Sequence, residues 1–335
     1  MAKRRLTIQQ KGRIQAIQDK RRQRQEQKAN QTLAKAGDQS TLEGRIIIRH
    51  GATLGVMDDS GNIYRCQTRQ NIGHPVCGDR VIWQPAGNHS GVVTALLPRK
   101  SVLSRPDYSG RQKPLAANIT QLVVVLAPKP EPSGYLLDQY LVTAETIRIP
   151  PLIAINKIDL LQGEEKARFF KKFTPYLEIG YQVIEVSAKR EHGLDILVDK
   201  LKGETSILLG QSGVGKSSLI NALLPQHDVE TSRLSESTGL GRHTTSAATC
   251  YTLPQGGELI DSPGVRSFRL TDLSRQELEQ GFVEFRPFIG QCRFHNCTHG
   301  HEPDCAIQAA TKRGKITPLR LEHFLSLSQT LSQNN

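Results

Sequence analysis

Gly210-Gln211-Ser212-Gly213-Val214-Gly215-Lys216-Ser217 has the residue types and spacing of a phosphate-binding loop. The pattern G-x-x-x-x-G-K-[ST], set between an apolar run and a helical one, turns backbone N–H groups inward onto a chain of phosphates. The helix after the loop adds its partial positive charge. Lys216 can neutralise the terminal phosphates and the Ser217 hydroxyl can sit on Mg²⁺. Ser218 completes the nucleotide-binding set at this helix start. The loop alone does not separate ATP from GTP, whereas Asn156-Lys157-Ile158-Asp159 does. The Asp159 carboxylate can accept hydrogen bonds from guanine N1–H and the guanine amino group. Adenine offers no such donor pair, so a buried carboxylate would be left unpaired against it. The Lys157 stem can cover the base, and Asn156 can tie this loop to the phosphate loop. Ser187-Ala188-Lys189 comes directly after a strand-like run, as a loop whose backbone N–H meets guanine O6 should.

Asp261-Ser262-Pro263-Gly264 supplies the remaining phosphate contacts. Asp261 can hold Mg²⁺ through a water, and the Gly264 N–H can sense the terminal phosphate. Thr245, or its neighbour Thr244, is the candidate for the second hydroxyl on Mg²⁺, with Thr245 preferred. Val265 stands where small GTPases commonly place a water-orienting Gln. Valine cannot do that work. His243, just before the two threonines, has the chemistry to orient or deprotonate a water; the alternative is a histidine of a surface loop. Arg242 could face developing charge, phosphate or RNA.

These motifs run in a rotated order. The base-reading pair Asn156–Asp159 and Ser187–Lys189 precedes the phosphate loop, which in ordinary small GTPases comes first. The order implies a circularly permuted domain whose switch segments lie beside the carboxyl-terminal part of the chain. That part contains Cys292-x₄-Cys297-x-His299-x₅-Cys305, three thiolates and an imidazole within fourteen residues. This is the composition of a closed tetrahedral Zn²⁺ site, which supports folding rather than catalysis. His295 and His301 are alternatives to His299. Cys66, Cys77 and Cys250 are scattered and read as small buried hydrophobes.

Periodicity indicates the elements that carry these residues. Gly44–Arg49, Ala52–Met57, Ile63–Thr68, Arg80–Trp83 and Gly91–Leu97 are short strand-like runs broken by turn residues, which suggests a small antiparallel barrel. The oligonucleotide-binding barrel leads, with Arg45, Arg49, Arg65, Arg69 and Arg80 available to one face; an unrelated small barrel has the same strand count. From about residue 115 strands and helices alternate. Strands are expected at Ile119–Ala127, Leu152–Asn156, Val183–Val186, Thr205–Leu209, Ala247–Leu253 and Glu258–Ile260. Helices are expected at Leu136–Ile147, Glu164–Leu177, Leu194–Leu201 and Ser217–Leu224. This is a doubly wound α/β pattern with every motif at the carboxyl end of a strand. The acidic helix around Glu277, Glu279 and Glu284 and the Leu321–Leu331 run flank the cysteine loop. The expected division is a basic disordered arm over 1–40, a five-stranded OB-type β-barrel over 41–110, a circularly permuted P-loop GTPase domain over 111–271 and a helical zinc-binding domain over 272–335.

The net charge is +12, and residues 1–40 carry eleven Lys and Arg against three acids. A segment so basic and so poor in apolar residues cannot bury a core. It suits RNA phosphates, a solvated tail being the alternative. No apolar run reaches membrane-spanning length and no secretory signal is evident, so a cytoplasmic protein with no membrane partner is expected.

Taken together these strings resemble the ribosome small-subunit-dependent GTPase A family (RsgA, also called YjeQ). The resemblance rests on Asn156–Asp159, Gly210–Ser217, Gly239-Leu240-Gly241-Arg242-His243-Thr244-Thr245, Asp261–Gly264 and Cys292…Cys297-Thr298-His299…Glu302-Pro303-Asp304-Cys305, and it covers nearly the whole chain. It implies an oligonucleotide-binding first domain and a role in late maturation of the small (30S) ribosomal subunit and its rRNA. It also implies GTP hydrolysis to GDP stimulated by that subunit, His243 as the catalytic histidine, and Cys292, Cys297, His299 and Cys305 as ligands of one structural zinc. Ser246 departs conservatively from a third threonine, and the arm is longer and more Gln-rich than the family requires. The expected protein is a monomeric GTPase released from rRNA by hydrolysis. The rival readings are a GTP-gated RNA-binding module with little turnover, a phosphate-loop kinase or ATPase, and a GTPase acting on another RNA.

Overall fold

The computed structural model describes residues 41–69, 72–87, 89–106, 111–224, 248–261 and 273–334. The arm over 1–40 and the segments carrying Arg242, His243, Thr244, Thr245, Gly264 and Val265 lie outside the described residues. Those that are described fall into two compact units, residues 41–100 with 248–249 and residues 101–224 with 250–334.

The first unit is a barrel of five strands: β1 (Leu42–His50), β2 (Thr53–Met57), β3 (Ile63–Thr68), β4 (Arg80–Pro85) and β5 (Ser90–Leu96). β1 pairs antiparallel with both β2 and β4, β2 with β3, and β4 with β5, while β3 and β5 run parallel. The order β1-β2-β3-β5-β4 therefore closes on itself. Strand alternation sends Ile46, Leu54, Val56, Cys66, Val81, Trp83 and Val93 inward. Trp83 is fully buried, and its indole N–H donates to the Glu43 carbonyl at 3.2 Å. Asp79 is also fully buried. It accepts from Arg99 at 2.7 and 2.8 Å and from the Val76 N–H at 2.7 Å, which is what a buried carboxylate needs. Of the barrel arginines, Arg65, Arg69 and Arg80 are exposed. Arg80 pairs with Glu43, and Arg49 is half-buried and donates to the Pro75 carbonyl. Cys66 lies in the barrel core as a small hydrophobe, whereas Cys77 is buried outside that core, its thiol donating to the Ile47 and Ala248 carbonyls at 3.6 and 3.1 Å. Burial pushes both thiols up, that of Cys77 to about 12.

The second unit opens with a strand pair absent from the sequence expectations, β6 (Val102–Pro106) against β7 (Gln112–Ala117). A doubly wound layer comes next: β8 (Gln121–Leu126), α1 (Gly134–Thr146), β9 (Pro151–Ile155), α2 (Gly163–Lys171), α3 (Thr174–Ile179), β10 (Gln182–Glu185), α4 (Leu194–Leu201), β11 (Thr205–Leu209), α5 (Lys216–Leu223), β12 (Ala248–Thr252) and β13 (Glu258–Asp261). Its strands lie in the order β10-β9-β8-β11-β13-β12. The near-continuous apolar runs Leu122–Leu126 and Leu152–Ile155 are buried on both faces, as a covered parallel sheet requires. Glu164–Leu177 is not the single helix that periodicity suggests. The chain breaks between α2 and α3 because Pro175 lacks an N–H and is accommodated in the first turn of α3. The apolar row survives the break, with Phe169, Phe173 and Tyr176 all buried.

The carboxyl-terminal segment packs α6 (Arg275–Gly281), a 3₁₀ turn Val283–Phe288, α7 (Ala306–Lys312) and α8 (Pro318–Asn334). Ser274 and Glu277 form a capping box that starts α6. Phe282, Phe285 and Phe324 make an aromatic core with Ile307, Ile316 and Leu327, joined by Val142 of α1. Among the described residues no helix is long and apolar enough to cross a membrane.

Candidate functional site

Parallel register explains how distant motifs meet. β8 pairs with β9 and β11, β9 with β10, and β11 with β13, all parallel. Their carboxyl ends share one edge of the sheet. Asn156–Asp159, Ser187–Lys189, Gly210–Ser217 and Asp261 each succeed or end one of these strands, so sequence positions 156 to 261 converge there. The switch in strand order at β8 and β11 opens the crevice in which such sheets take ligands.

Asn156 is the joint of this edge. It is 1% exposed; its Nδ2 donates to the Val214 carbonyl at 3.0 Å and its Oδ1 accepts from the Ala188 N–H at 3.2 Å. One buried carboxamide thus spans the phosphate loop, its own loop and the Ser187–Lys189 loop. Lys157 takes the left-handed conformation, φ 61°, and its ammonium donates to the carbonyls of Lys129 (3.1 Å) and Gly213. Its stem is laid over the space between those loops. Ser187 donates its hydroxyl to Asp159 Oδ1, and its Oγ accepts from the Arg190 N–H at 3.2 Å. The Ser187 and His192 backbones exchange two hydrogen bonds, at 2.9 and 3.2 Å, which hold the loop tight.

The phosphate loop requires glycine at its ends. Gly210 has φ 144°, and a Cβ there would lie 2.2 Å from the Val125 carbonyl. Gly215 has φ 93°, and a Cβ there would lie 2.4 Å from Asn156 Nδ2. Val214 is buried beneath the loop, while Ser212, Gly213, Ser217 and Ser218 are exposed on it. The Lys216 ammonium donates to the Gly210 and Gln211 carbonyls, both at 2.7 Å, across the mouth of the loop. Ser217 and Ser218 stand in the first turn of α5, and Asp261 ends β13 half-buried.

A second cluster forms at Cys292, Cys297, His299 and Cys305, whose ligand atoms all lie within 4.8 Å of one another. His299 Nδ1 is 3.6 Å from Cys292 Sγ and 3.4 Å from Cys305 Sγ, and the two sulfurs are 3.9 Å apart. Tetrahedral metal–thiolate bonds of about 2.3 Å put neighbouring sulfurs about 3.8 Å apart, so the set fits one four-coordinate ion. The fold selects His299 over the two alternatives, since His295 and His301 are exposed and outside the cluster. Cys305 also caps α7, accepting from the Gln308 N–H at 3.5 Å.

A phosphate loop, a guanine-type Asn-Lys-x-Asp loop and a rotated motif order on a doubly wound sheet define a circularly permuted GTPase. Comparison with known proteins narrows the class. The RsgA GTPase model matches residues 96–271. The small ribosomal subunit biogenesis GTPase RsgA of Hahella chejuensis is 46% identical, the match covering 100% of this chain and 98% of that protein. Its namesake in Proteus mirabilis is 42% identical over 99% and 97%. The crystal structure of YjeQ from Thermotoga maritima superposes with a TM-score of 0.71 at 31% identity, covering 87% of this chain and 99% of that one. YloQ, described as a circularly permuted GTPase, gives 0.69 at 29%, covering 88% and 96%. The chain belongs to the RsgA GTPase family and is a GTP-hydrolysing enzyme.

Proposed function

We propose that this GTPase works in late maturation of the small ribosomal subunit, docked on its rRNA in the GTP state and released by hydrolysis. The observation that carries the reading is full-length similarity to small ribosomal subunit biogenesis GTPases in a chain whose nucleotide motifs meet at one sheet edge. The basic arm and the exposed Arg65 and Arg69 of the barrel supply rRNA phosphate contacts. A cytoplasmic monomer suits that role.

In this reading Asp159, steadied by Ser187, pairs with the guanine N1–H and amino group, and the Ser187–Lys189 loop presents an N–H to O6. The N–H groups of Gly210–Ser217 enclose the phosphates, and Lys216 transfers its donors from loop carbonyls to phosphate oxygens. The Gly264 N–H meets the terminal phosphate. Ser217, Thr245 and Asp261 hold Mg²⁺, which when bound offsets the charge of the β- and γ-phosphates. His243 orients the attacking water in place of a Gln. The water oxygen bonds to the γ-phosphorus, the bond to the β–γ bridging oxygen breaks, and GDP and phosphate leave. Cys292, Cys297, His299 and Cys305 hold one structural zinc, whose binding contributes to folding of the surrounding segment.

The test is GTP turnover alone, with purified small subunits and with large subunits. Stimulation by small subunits only is expected, and His243→Ala should abolish it while leaving GDP affinity unchanged. Turnover that neither subunit alters would overturn the ribosomal assignment, and competition by ATP as effective as by GTP would overturn the guanine assignment.

A further inference from the structure

Beyond the four metal-ligand candidates, a fifth side chain stands behind the cluster. Glu279 lies on α6, thirteen residues before the first cysteine of the loop, where no metal-ligand spacing would single it out. Its Oε1 is 3.2 Å from His299 Nε2, the ring nitrogen that faces away from the thiolates. The same oxygen accepts from Arg275 Nε at 3.1 Å. The contact is well enclosed, with side chains 6% exposed for His299 and 12% for Glu279. The ring is also bounded by Phe324, 5.7 Å between centroids, and the His299 and Gly300 carbonyls both accept from Gln308 Nε2.

We propose that Glu279 is the positioning residue of the metal site. An imidazole binds a divalent ion only through a nitrogen with a free lone pair. A carboxylate that accepts from Nε2–H fixes the proton there and leaves the Nδ1 lone pair aimed at the three sulfurs. It also holds the ring plane. Arg275 keeps the carboxylate in place and balances its charge in the half-buried setting. The consequence reaches past the metal loop. α6 is the first described element after β13, whose end carries Asp261 of the nucleotide site. Through Glu279, the helix downstream of the switch segment is tied directly to a metal ligand.

This inference rests on the four-ligand metal reading, and the experiment separates the two. Full-length wild type, Glu279→Gln, Glu279→Ala and Arg275→Met are loaded with Zn²⁺ and challenged with a chromogenic chelator. A parallel set is loaded with Co²⁺ for its thiolate charge-transfer and d–d absorption. Removal of such a second contact costs about 10–100-fold in metal affinity. Glu279→Ala is expected to weaken Zn²⁺ retention by that factor and to shift the Co²⁺ d–d bands at unchanged far-ultraviolet dichroism. Glu279→Gln, which keeps an acceptor but loses the charge, should fall between wild type and Glu279→Ala. Arg275→Met, which leaves the His–Glu contact but removes its support, should fall between wild type and Glu279→Ala. Wild-type retention and spectra in Glu279→Ala overturn the positioning role alone. Failure of the wild type to take up either ion overturns the metal reading and this inference with it.

Discussion

At the scale of single residues, the nucleotide edge depends on Asn156 more than on any charged group. It is buried, and each half of its carboxamide satisfies a backbone group of a different loop. Asn156→Ala removes both bonds and leaves polar groups without partners. An unpaired buried group costs about 1–3 kcal/mol, and about 1.4 kcal/mol is tenfold in affinity. The melting temperature should drop by several degrees, and GDP and GTP affinity should fall together by roughly ten- to a hundredfold in a titration with a fluorescent nucleotide, because the same bonds hold the loops in their binding geometry. A loss of stability with unchanged nucleotide affinity would instead make Asn156 a general core residue. The tie from Asn156 to the phosphate loop is legible in the sequence, because residue type and motif order leave that part to it. The metal loop is legible only as composition. Spacing puts His299 first with His295 and His301 as alternatives, and the fold agrees by burying His299 beside the thiols and leaving the other two exposed. Glu279 is not legible at all, since a helix and a loop meet there through tertiary packing and no local period records it.

At the scale of elements, the strands are easier to read than the turns between them. Parallel strands buried on both faces show up as unbroken apolar runs, so β8, β9 and β11 fall within a residue or two of their expected places. The α2–α3 break escapes a periodicity reading because the apolar spacing continues through it, and only Pro175 marks the interruption. The β6–β7 pair escapes it because Gln112–Ala117 shows no clean alternation of polar and apolar residues. The strand-to-helix turn of the phosphate loop is where backbone and function meet most tightly. Gly215→Ala would force a side chain to φ 93° and set its Cβ against Asn156 Nδ2. Strain of this kind costs about 1–3 kcal/mol. The turn yields before the surrounding core does, so nucleotide affinity should fall at least about tenfold while β11 and α5 keep their amide-exchange protection. Unchanged GDP binding in that variant would mean that the loop tolerates a second geometry.

At the scale of the whole second unit, the carboxyl-terminal helices are keyed to the nucleotide-binding layer by buried charge. Asp138 of α1 is fully buried and takes three donors: Arg320 Nη1 at 2.6 Å, the Tyr176 hydroxyl at 2.8 Å and His323 Nδ1 at 2.6 Å. Arg320, 1% exposed, pairs bidentately with Glu284 at 2.6 and 2.9 Å, and its guanidinium lies 4.4 Å from the Phe282 ring centroid. Replacing such a cluster by apolar side chains of similar volume is often neutral, whereas removing one partner leaves uncompensated charge and costs about 3–5 kcal/mol. Arg320→Met takes both bonds from Glu284 and leaves Asp138 with Tyr176 and His323 alone, so the unfolding free energy from denaturant titration should drop by an amount in that range. Adding Asp138→Asn and Glu284→Gln removes the stranded charges and should recover much of the loss. If the ion cluster sets register rather than stability, the restored triple variant should still show faster amide exchange in α8 and at the face of α1 around Val142. Wild-type exchange in the triple variant would show that the apolar contacts of Val142, Phe282 and Phe324 are enough to seat the carboxyl-terminal helices on their own.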